Sequence, residues 1–176
     1  MILLTAGVRP STDFAKSTAL ETGRGILVND RMETSVPDIY AAGDVAESRN
    51  PSGTYELVFN WYSAISQGWT AGCNMVGQTR DYLFSPMLSA LKEIDFPVIS
   101  IGKRGTEGGE VFSRRDEKRG ILEEISLGKG LLESYQAIGV REKVGLFYSL
   151  IRNRKKVDGL KKELLTDGFN AARLIP

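Results

Sequence analysis

The longest regular pattern in the sequence lies between Asn60 and Val76 and has a helical period. Apolar side chains recur there at spacings of three and four residues, at Trp61, Ile65, Trp69, Cys73 and Val76. This spacing is typical of one face of an α-helix, and an asparagine is favourable as its N-cap. The pattern predicts a helix over residues 60–76 whose apolar stripe, including Trp69 and Cys73, packs into a core.

A second set of positions in the same stretch carries small residues: Ala64, Gly68, Ala71 and Gly72. A glycine inside a helix costs roughly 1 kcal/mol relative to alanine. Two glycines on one flank therefore indicate the close approach of another backbone or of a ligand.

Upstream of this helix, short apolar runs alternate with turn residues. Residues 2–4, 25–28 and 39–42 are such runs, and the third ends at Gly43-Asp44. Each run is expected to form a short strand. Residues 46–56 are polar and contain a proline and a glycine, which predicts a loop.

A short helix is expected between the first two of these strands, ending at about Leu20 and followed by Gly23 as a left-handed C-terminal residue. Its N-cap is one of three neighbouring polar residues: Ser11, Thr12 or Asp13.

The pattern lapses between Gly77 and Pro86, which places a domain boundary near residue 80 and predicts domains over residues 1–80 and 81–176. Four strand candidates follow: Val98–Ile101, Glu110–Ser113, Ile121–Leu127 and Leu131–Ile138. The last two are joined by a Gly-Lys-Gly hairpin. Helices are expected at about Val144–Arg152 and Val157–Leu165. Strands followed by helices favour a small α+β domain.

Composition excludes several classes of function. The chain has 176 residues, 23 basic and 22 acidic, which leaves no broad electrostatic footprint for nucleic acid or an anionic membrane. It has no histidine and one cysteine, so zinc sites, Ser-His triads and dithiol relays need parts from another chain. No metal site is expected. No apolar run is long enough to cross a bilayer, and the default location is cytoplasmic.

Asp44 is the first candidate for a binding residue. Ligands of open α/β sheets lie beyond the carboxyl ends of strands, and the small residues Ala41, Ala42 and Gly43 would leave such an end bare. An ionised aspartate only accepts hydrogen bonds, which suits the hydroxyl groups of a polyol or ribose. For an isolated Gly-Asp pair, however, a carboxylate that simply caps the next turn is the commoner explanation.

The longer segment that contains Asp44 favours a binding residue over a turn cap. Residues 34–45, T-S-V-P-D-I-Y-A-A-G-D-V, resemble the second flavin-binding signature of the FAD-dependent pyridine nucleotide-disulfide oxidoreductases. Residues 7–10 and 25–28 are similar to the segment that precedes this signature in the family. Residues 61–74, W-x-x-A-x-x-Q-G-x-x-A-x-x-N, are similar to the helix that follows it.

The resemblance implies an α/β fold: the C-terminal portion of an FAD-binding Rossmann-like domain, followed by a small α+β domain of a dimerisation type. It implies that Asp44 binds the ribityl hydroxyls of FAD and that Gly7 and Gly43 allow close approach. Free backbone N–H groups at Asn60, Trp61 and Tyr62 would face the pyrimidine edge of the flavin, where the helix dipole stabilises negative charge. The Trp61 side chain either lies against the flavin or begins the core stripe.

The C-terminal part resembles the corresponding domain of NADH-dependent nitrite reductase and rubredoxin reductase types, which often mediates dimerisation. Where those relatives frequently have a basic strand, residues 121–125 are acidic. The basic run over residues 152–156 could dock an electron acceptor, but a solvated helix end accounts for it equally well, and we favour the simpler explanation.

The phosphate-binding loops of the family are missing. No Gly-x-Gly-x-x-Gly follows a strand, and residues 102–109 have the wrong spacing. The loops for FAD and for NAD(P)H would precede Met1. The resemblance therefore implies a fragment of a flavoprotein reductase that transfers hydride from NAD(P)H to FAD and on to an unidentified small-molecule or protein acceptor. The alternative is a non-catalytic dimerisation or partner-docking module.

The fragment alone is expected to bind FAD weakly or not at all, and not to oxidise NADH. Faces that the absent domains would cover should be exposed, so a homo-oligomer is expected. No catalytic residue is identified.

Overall fold

The computed structural model describes residues 1–91, 95–103, 109–157 and 159–169. The chain divides into two compact units, residues 1–85 and 86–176. Residues 104–108, within the glycine-rich segment considered above, lie outside the described residues. Among the described residues, no helix has the length and hydropathy needed to cross a membrane.

The first unit contains a three-stranded sheet. Strand β1 (Ile26–Leu27) runs parallel to β2 (Ala46–Arg49), and β2 pairs antiparallel with β3 (Tyr55–Glu56). The strand predicted at residues 25–28 is therefore confirmed in shortened form, whereas the loop predicted over 46–56 is wrong. Its ends pair as a hairpin around the turn that contains Pro51 and Gly53.

A buried carboxylate explains why β2 escaped prediction. Glu47 is 6% exposed, and its Oε2 accepts hydrogen bonds from the backbone N–H groups of Arg24 (2.7 Å) and Gly25 (2.9 Å). A Cβ on Gly23 would lie 2.6 Å from this oxygen. Gly23 thus serves close approach, and the left-handed C-terminal role predicted for it is wrong because its φ is not positive.

Two elements predicted near the N-terminus do not form. Residues 2–4 pair with no described strand and are 79–91% exposed, because an isolated short strand has no ladder to stabilise it. The helix predicted up to Leu20 is reduced to a single 3₁₀ turn, Asp13–Ala15, without a side-chain cap. Only Ala15 in that turn is buried, so too little apolar surface is covered to extend a helix.

The strand predicted over residues 39–42 is also wrong. The segment makes one antiparallel bridge, between Tyr40 and Glu33, and the N–H of Ala41 donates to the Met32 carbonyl at 3.1 Å. Gly43 and Asp44 therefore form a turn that leads into β2 and do not end a strand of the sheet.

Helix α1 (Trp61–Met75) confirms the predicted helix and its N-cap, because the Asn60 side chain accepts from the Ser63 N–H at 2.7 Å. The face of the helix that packs inward is not the apolar stripe that was predicted to do so. The buried residues are Ser63, Gln67, Thr70 and Ala71.

The apolar stripe of α1 faces outward: Trp61 is 78%, Ile65 57%, Trp69 64% and Val76 72% exposed. Within the described chain, the predicted core role of Trp69 is wrong, and Cys73 is half-buried. For Trp61, the alternative in which it begins the core stripe has no support. A Cβ on Gly68 or Gly72 would meet no atom within 4 Å, so no described backbone approaches them.

The second unit is a five-stranded antiparallel sheet with the order β4-β5-β8-β7-β6. The strands are β4 (Leu88–Leu91), β5 (Val98–Gly102), β6 (Glu110–Asp116), β7 (Ile121–Gly128) and β8 (Leu131–Ile138). The four predicted strands and their hairpin are confirmed, and β4 was not anticipated.

Helix α2 (Val144–Arg152) is confirmed. The helix predicted at 157–165 is wrong, since among the described residues of that range only Glu163–Leu165 form a 3₁₀ turn. Leu164 and Leu165 are both buried in the core of the second unit. A surface helix buries residues three or four positions apart, so two consecutive buried residues do not fit its apolar stripe.

The core of the second unit contains a buried carboxylate. Tyr135 stacks on Phe147 at 3.9 Å, and its hydroxyl donates to Glu123 Oε1 at 2.8 Å. Glu123 is fully buried and also pairs with Lys143 (3.2 Å) and Arg114 (3.3 Å). Burial raises the pKa of the Tyr135 hydroxyl, and the hydrogen bond to Glu123 adds to that effect. Two cations offset the cost of burying the carboxylate.

Arg114 also ties the last described segment to the sheet. Its guanidinium donates to both carboxylate oxygens of Asp167, at 2.7 and 2.8 Å, and Arg119 donates to the same carboxylate at 2.8 Å. Hydrogen bonds from Arg114 and then Arg119 lower the pKa of Asp167 from 3.8 to about 2.

This shift predicts an acid-dependent loss of stability. Because the folded-state pKa lies below the ordinary value, the stabilisation is fully present above pH 3.8 and is lost as the pH falls through about 2. Replacing Asp167 by asparagine should therefore lower the free energy of unfolding at pH 6 and have little effect near pH 2. Urea unfolding at both values measures this, and an equal loss at both would contradict it.

Candidate functional site

The Gly43-Asp44 turn lies against helix α1. The N–H of Gly43 donates to Gln67 Oε1 at 2.7 Å, and a Cβ on Gly43 would lie 3.8 Å from the Cβ of Ala64. Gly43 has φ +83°, a conformation that favours glycine. Ala64 and Gln67 are four and seven residues from Asn60. The turn therefore lies about 6 to 10 Å along the helix axis from its N-terminus.

A series of buried hydrogen bonds holds the Gln67 side chain in place on the inner face of α1. Gln67 is 1% exposed, and its Nε2 donates to Ser63 Oγ at 3.4 Å. Ser63 Oγ in turn lies 2.8 Å from the Tyr82 hydroxyl, which accepts from the Ser85 N–H at 3.3 Å. A side chain with this many buried partners has little freedom to move, so Gln67 fixes the position of Gly43.

Asp44 itself is exposed and makes no hydrogen bond or ion pair with any described residue. The turn is closed instead by the backbone, since the N–H of Ala46 donates to the Gly43 carbonyl at 2.9 Å. The alternative in which this carboxylate merely caps a turn therefore has no support. All its acceptor positions remain available to a ligand.

The first turn of α1 provides donors. Trp61 and Tyr62 occupy its first two helical positions, where the backbone N–H groups have no acceptor within the helix. The N–H of Asn60 is not free as predicted, because it donates to the Val58 carbonyl at 3.0 Å. The Asn60 Nδ2, however, is buried without a hydrogen-bond partner among the described residues. An unpaired buried donor is costly unless another group completes it.

Gly7 is not brought to this place by any described contact. It has φ +82°, is exposed, and a Cβ built on it would meet no atom within 4 Å. Of the six residues singled out from the sequence, Gly43 and Asp44 lie beside α1, and Asn60, Trp61 and Tyr62 begin it.

The helix motif contains two residues that position neighbouring loops, Gln67 and Asn74, and sequence reasoning assigned no role to either. Ala64, Gln67, Ala71 and Asn74 share the inner face of α1, because their spacing of three and four residues keeps them on one side. Asn74 Nδ2 donates to the carbonyls of Arg31 (3.0 Å) and Arg80 (2.8 Å), and its Oδ1 accepts from the Arg80 N–H. The motif therefore describes a face that anchors loops through polar groups.

The donor set fits a flavin nucleotide. A free carboxylate suits the hydroxyl groups of a ribityl chain, and the N–H groups at the start of α1, with an unpaired amide beside them, suit the carbonyl oxygens of a pyrimidine ring. Among the described residues, no group of three acidic or cysteine side chains is placed to hold a metal ion. Cys73 is a free thiol.

Comparison with known proteins points to one family. A family model described as pyridine nucleotide-disulphide oxidoreductase matches residues 1–68. The NADH-rubredoxin oxidoreductase of Clostridium acetobutylicum is 38% identical over 124 residues, which cover 69% of this chain and 31% of that protein. The assimilatory nitrate reductase electron transfer subunit of Bacillus subtilis is 32% identical over 94% of this chain and 21% of its own length.

Solved structures show the same likeness as the sequence comparison. The crystal structure of the Clostridium acetobutylicum enzyme superposes with a TM-score of 0.64 at 32% identity, covering 90% of this chain and 40% of that one. The covalent putidaredoxin reductase–putidaredoxin complex gives a TM-score of 0.80 at 18% identity, with 96% and 40% coverage, and shows the likeness of fold alone. The predicted mixed α/β fold is confirmed. The chain spans 20% to 42% of the curated relatives it matches.

The role of Gln67 can be tested by substitution. Gln67→Leu leaves the part-buried Gly43 N–H without an acceptor, which should cost about 1 kcal/mol of folding free energy and loosen the turn that carries Asp44. Gln67→Glu keeps an oxygen facing Gly43 but loses the Nε2 donor to Ser63 and buries a carboxylate, so it should also lose stability while hydrogen exchange at Gly43 stays slow. Urea unfolding, with amide hydrogen exchange at Gly43, measures both effects. Unchanged exchange at Gly43 in the leucine variant would contradict the assignment.

Proposed function

Because this chain belongs to the pyridine nucleotide-disulphide oxidoreductases, we propose that it is the C-terminal part of an FAD-dependent reductase. The complete polypeptide passes a hydride from NAD(P)H to FAD and electrons onward to an acceptor. The observation that carries the proposal is the hydrogen bond between Gly43 and Gln67, which fixes the exposed Asp44 carboxylate near the N-terminus of α1. When bound, FAD supplies the redox chemistry, and the protein supplies binding, orientation and electrostatics.

The residues of this chain have separate tasks in the proposal. Asp44 accepts hydrogen bonds from the ribityl hydroxyls, and Gly43 supplies the positive φ that the turn beside α1 requires. The N–H groups of Trp61 and Tyr62 and the Asn60 amide face the pyrimidine edge. The positive end of the helix dipole there favours the negative charge that develops on reduction.

The remaining parts of the enzyme belong to the rest of the polypeptide. The family depends on FAD and NAD(P)H, and the pyrophosphate and nicotinamide sites are proposed to lie in sequence N-terminal to this chain. The acceptor is a small molecule or a redox protein. A cytoplasmic location is part of the proposal and is supported by the single, unpaired Cys73.

A second function is favoured by one observation. The outer face of α1, formed by Trp61, Ile65, Trp69 and Val76 with Gly68 and Gly72, is exposed and carries no charged residue. Such a patch is unusual on an isolated protein and marks a contact surface. In the complete reductase the missing polypeptide would cover it. In the isolated chain we propose that a second copy does, which makes the fragment an association module without cofactor.

The outer face is complementary to itself. An antiparallel two-fold contact centred between Gly68 and Trp69 would place the tryptophan of each copy opposite the glycine of the other, and Ile65 opposite Gly72. The exposed aromatic and aliphatic groups offer on the order of 700 Å² per copy, close to what a specific interface buries. Two copies would meet without like charges opposing each other.

The flavin assignment is tested in the complete polypeptide. Asp44→Ala should weaken FAD retention about tenfold or more, because a charge-assisted hydrogen bond is lost. Asp30→Ala, which removes an exposed carboxylate elsewhere in the first unit, is the matched control. Flavin absorbance after desalting and its bleaching by NADH give the readout. A complete protein that is colourless and cannot be reconstituted with FAD would refute the proposed function.

Association of the isolated chain is tested separately. Ile65→Glu and Trp69→Glu together place two carboxylates on the outer face and should convert an oligomer into a monomer in light scattering. Gln78→Glu adds one carboxylate at an exposed position just after the helix and should leave the mass of the oligomer unchanged. An isolated chain that is monomeric at tens of micromolar would contradict the second-copy interaction.

A further inference from the structure

A cluster of cations in the second unit forms where two segments distant in sequence meet. The N–H of Val157 donates to the Gly130 carbonyl at 3.0 Å, and Lys156 makes an antiparallel bridge with Leu131. These contacts hold the tip of the β7–β8 hairpin, which carries Lys129, against the segment that follows α2. The exposed residues Lys129, Arg154, Lys155 and Lys156 are called the basic patch below.

The simpler explanation, a helix end complemented by basic residues, accounts for only part of this charge. The attraction of a helix C-terminus for cations falls off within the last turn. In α2, Arg152 is the one basic residue of that turn. Arg154, Lys155 and Lys156 lie beyond the C-cap residue Asn153, and Lys129 lies in the turn between β7 and β8.

Two members of the basic patch occupy backbone positions that suit other residues. Arg154 has φ +49° and is the residue at which α2 ends in a Schellman motif. The N–H of Arg154 donates to the Ile151 carbonyl at 3.3 Å, and the N–H of Lys155 donates to the Leu150 carbonyl at 3.1 Å. The left-handed position of this motif is usually glycine. Lys129, at φ +52°, precedes Gly130 at φ +77° in a two-residue hairpin turn that favours asparagine, aspartate or glycine. Local stability does not select a cation at either position.

The charges of the basic patch are not neutralised within the described chain. None of its four residues forms an ion pair with a described residue. One acid, Glu133, has its carboxylate beside Gly128 in the same hairpin. Within the described part of the chain, these four cations without an ion pair lie close together and concentrate positive charge in a protein whose net charge is +1.

From this geometry we propose that the basic patch docks an acidic protein surface and, resting on the proposed function, that this surface belongs to the redox protein that accepts the electrons. Clustered exposed cations attract a partner's carboxylates at long range and set its orientation, and salt screens that attraction. The strained cationic positions are then retained for binding at some cost in local stability.

The test separates folding from binding. In the intact 176-residue chain, Arg154→Gly and Lys129→Asn together remove two charges and install the residues that the backbone prefers. The probe is rubredoxin from Clostridium acetobutylicum, with titration calorimetry at 50 and 200 mM NaCl. The double variant should unfold at the same or a higher temperature, yet bind rubredoxin about fivefold more weakly at low salt.

Two controls make the outcome specific. Lys118→Asn removes an exposed cation from the β6–β7 turn, and Lys155→Arg keeps the charge within the patch; both should bind as the unaltered chain does. Equal affinity of the double variant and the unaltered chain overturns the proposal. So does patch-dependent binding to anionic lipid vesicles or duplex DNA without binding to rubredoxin. Because this assay needs no flavin, its failure is distinguishable from loss of FAD in the complete polypeptide.

Discussion

One buried amide, that of Gln67, organises the first unit. Its oxygen receives the N–H of Gly43 and its nitrogen reaches Ser63, so a single side chain links the turn before β2 to the inner face of α1. Leaving either group unpaired would cost more than the bond itself contributes, which makes the arrangement close to all-or-none. The availability of Asp44 depends on this link, because a carboxylate on an unanchored turn would have no defined position relative to the helix.

The sequence predicted best where apolar periodicity and packing coincide. Strands β5, β7 and β8 and helix α2 have the regular burial that alternation or a 3.6-residue period implies, and they lie where expected. Prediction from the sequence failed where polar side chains are buried. The orientation of α1 and the existence of β2 depend on hydrogen bonds of Gln67 and Glu47 that no hydrophobic pattern encodes. For the candidate site, the motif located Gly43, Asp44 and the helix start, and the hydrogen bond between Gly43 and Gln67 explains their spacing.

The two units use buried charge in different ways. In the first, Glu47 satisfies backbone N–H groups that the sheet leaves unpaired, so it replaces missing ladder hydrogen bonds. In the second, Glu123 is held by Lys143, Arg114 and a tyrosine hydroxyl, and Arg114 extends the network to the surface. Burying these charges costs desolvation, and the paired cations and the tyrosine hydroxyl offset that cost. The network fixes the last described segment to the sheet.

The exposed tryptophans have an optical consequence. Trp61 and Trp69 are the only two tryptophans in the chain, and both lie on the same side of α1, largely in contact with water. While the chain is monomeric, their emission should therefore resemble that of indole in solvent, and unfolding of the monomer should change its wavelength little. Any molecule that binds to this face of the helix, whether the remaining polypeptide or another copy, would shift the spectrum to the blue. The two tryptophans therefore report coverage of the helix, and they are nearly silent to unfolding of the monomer.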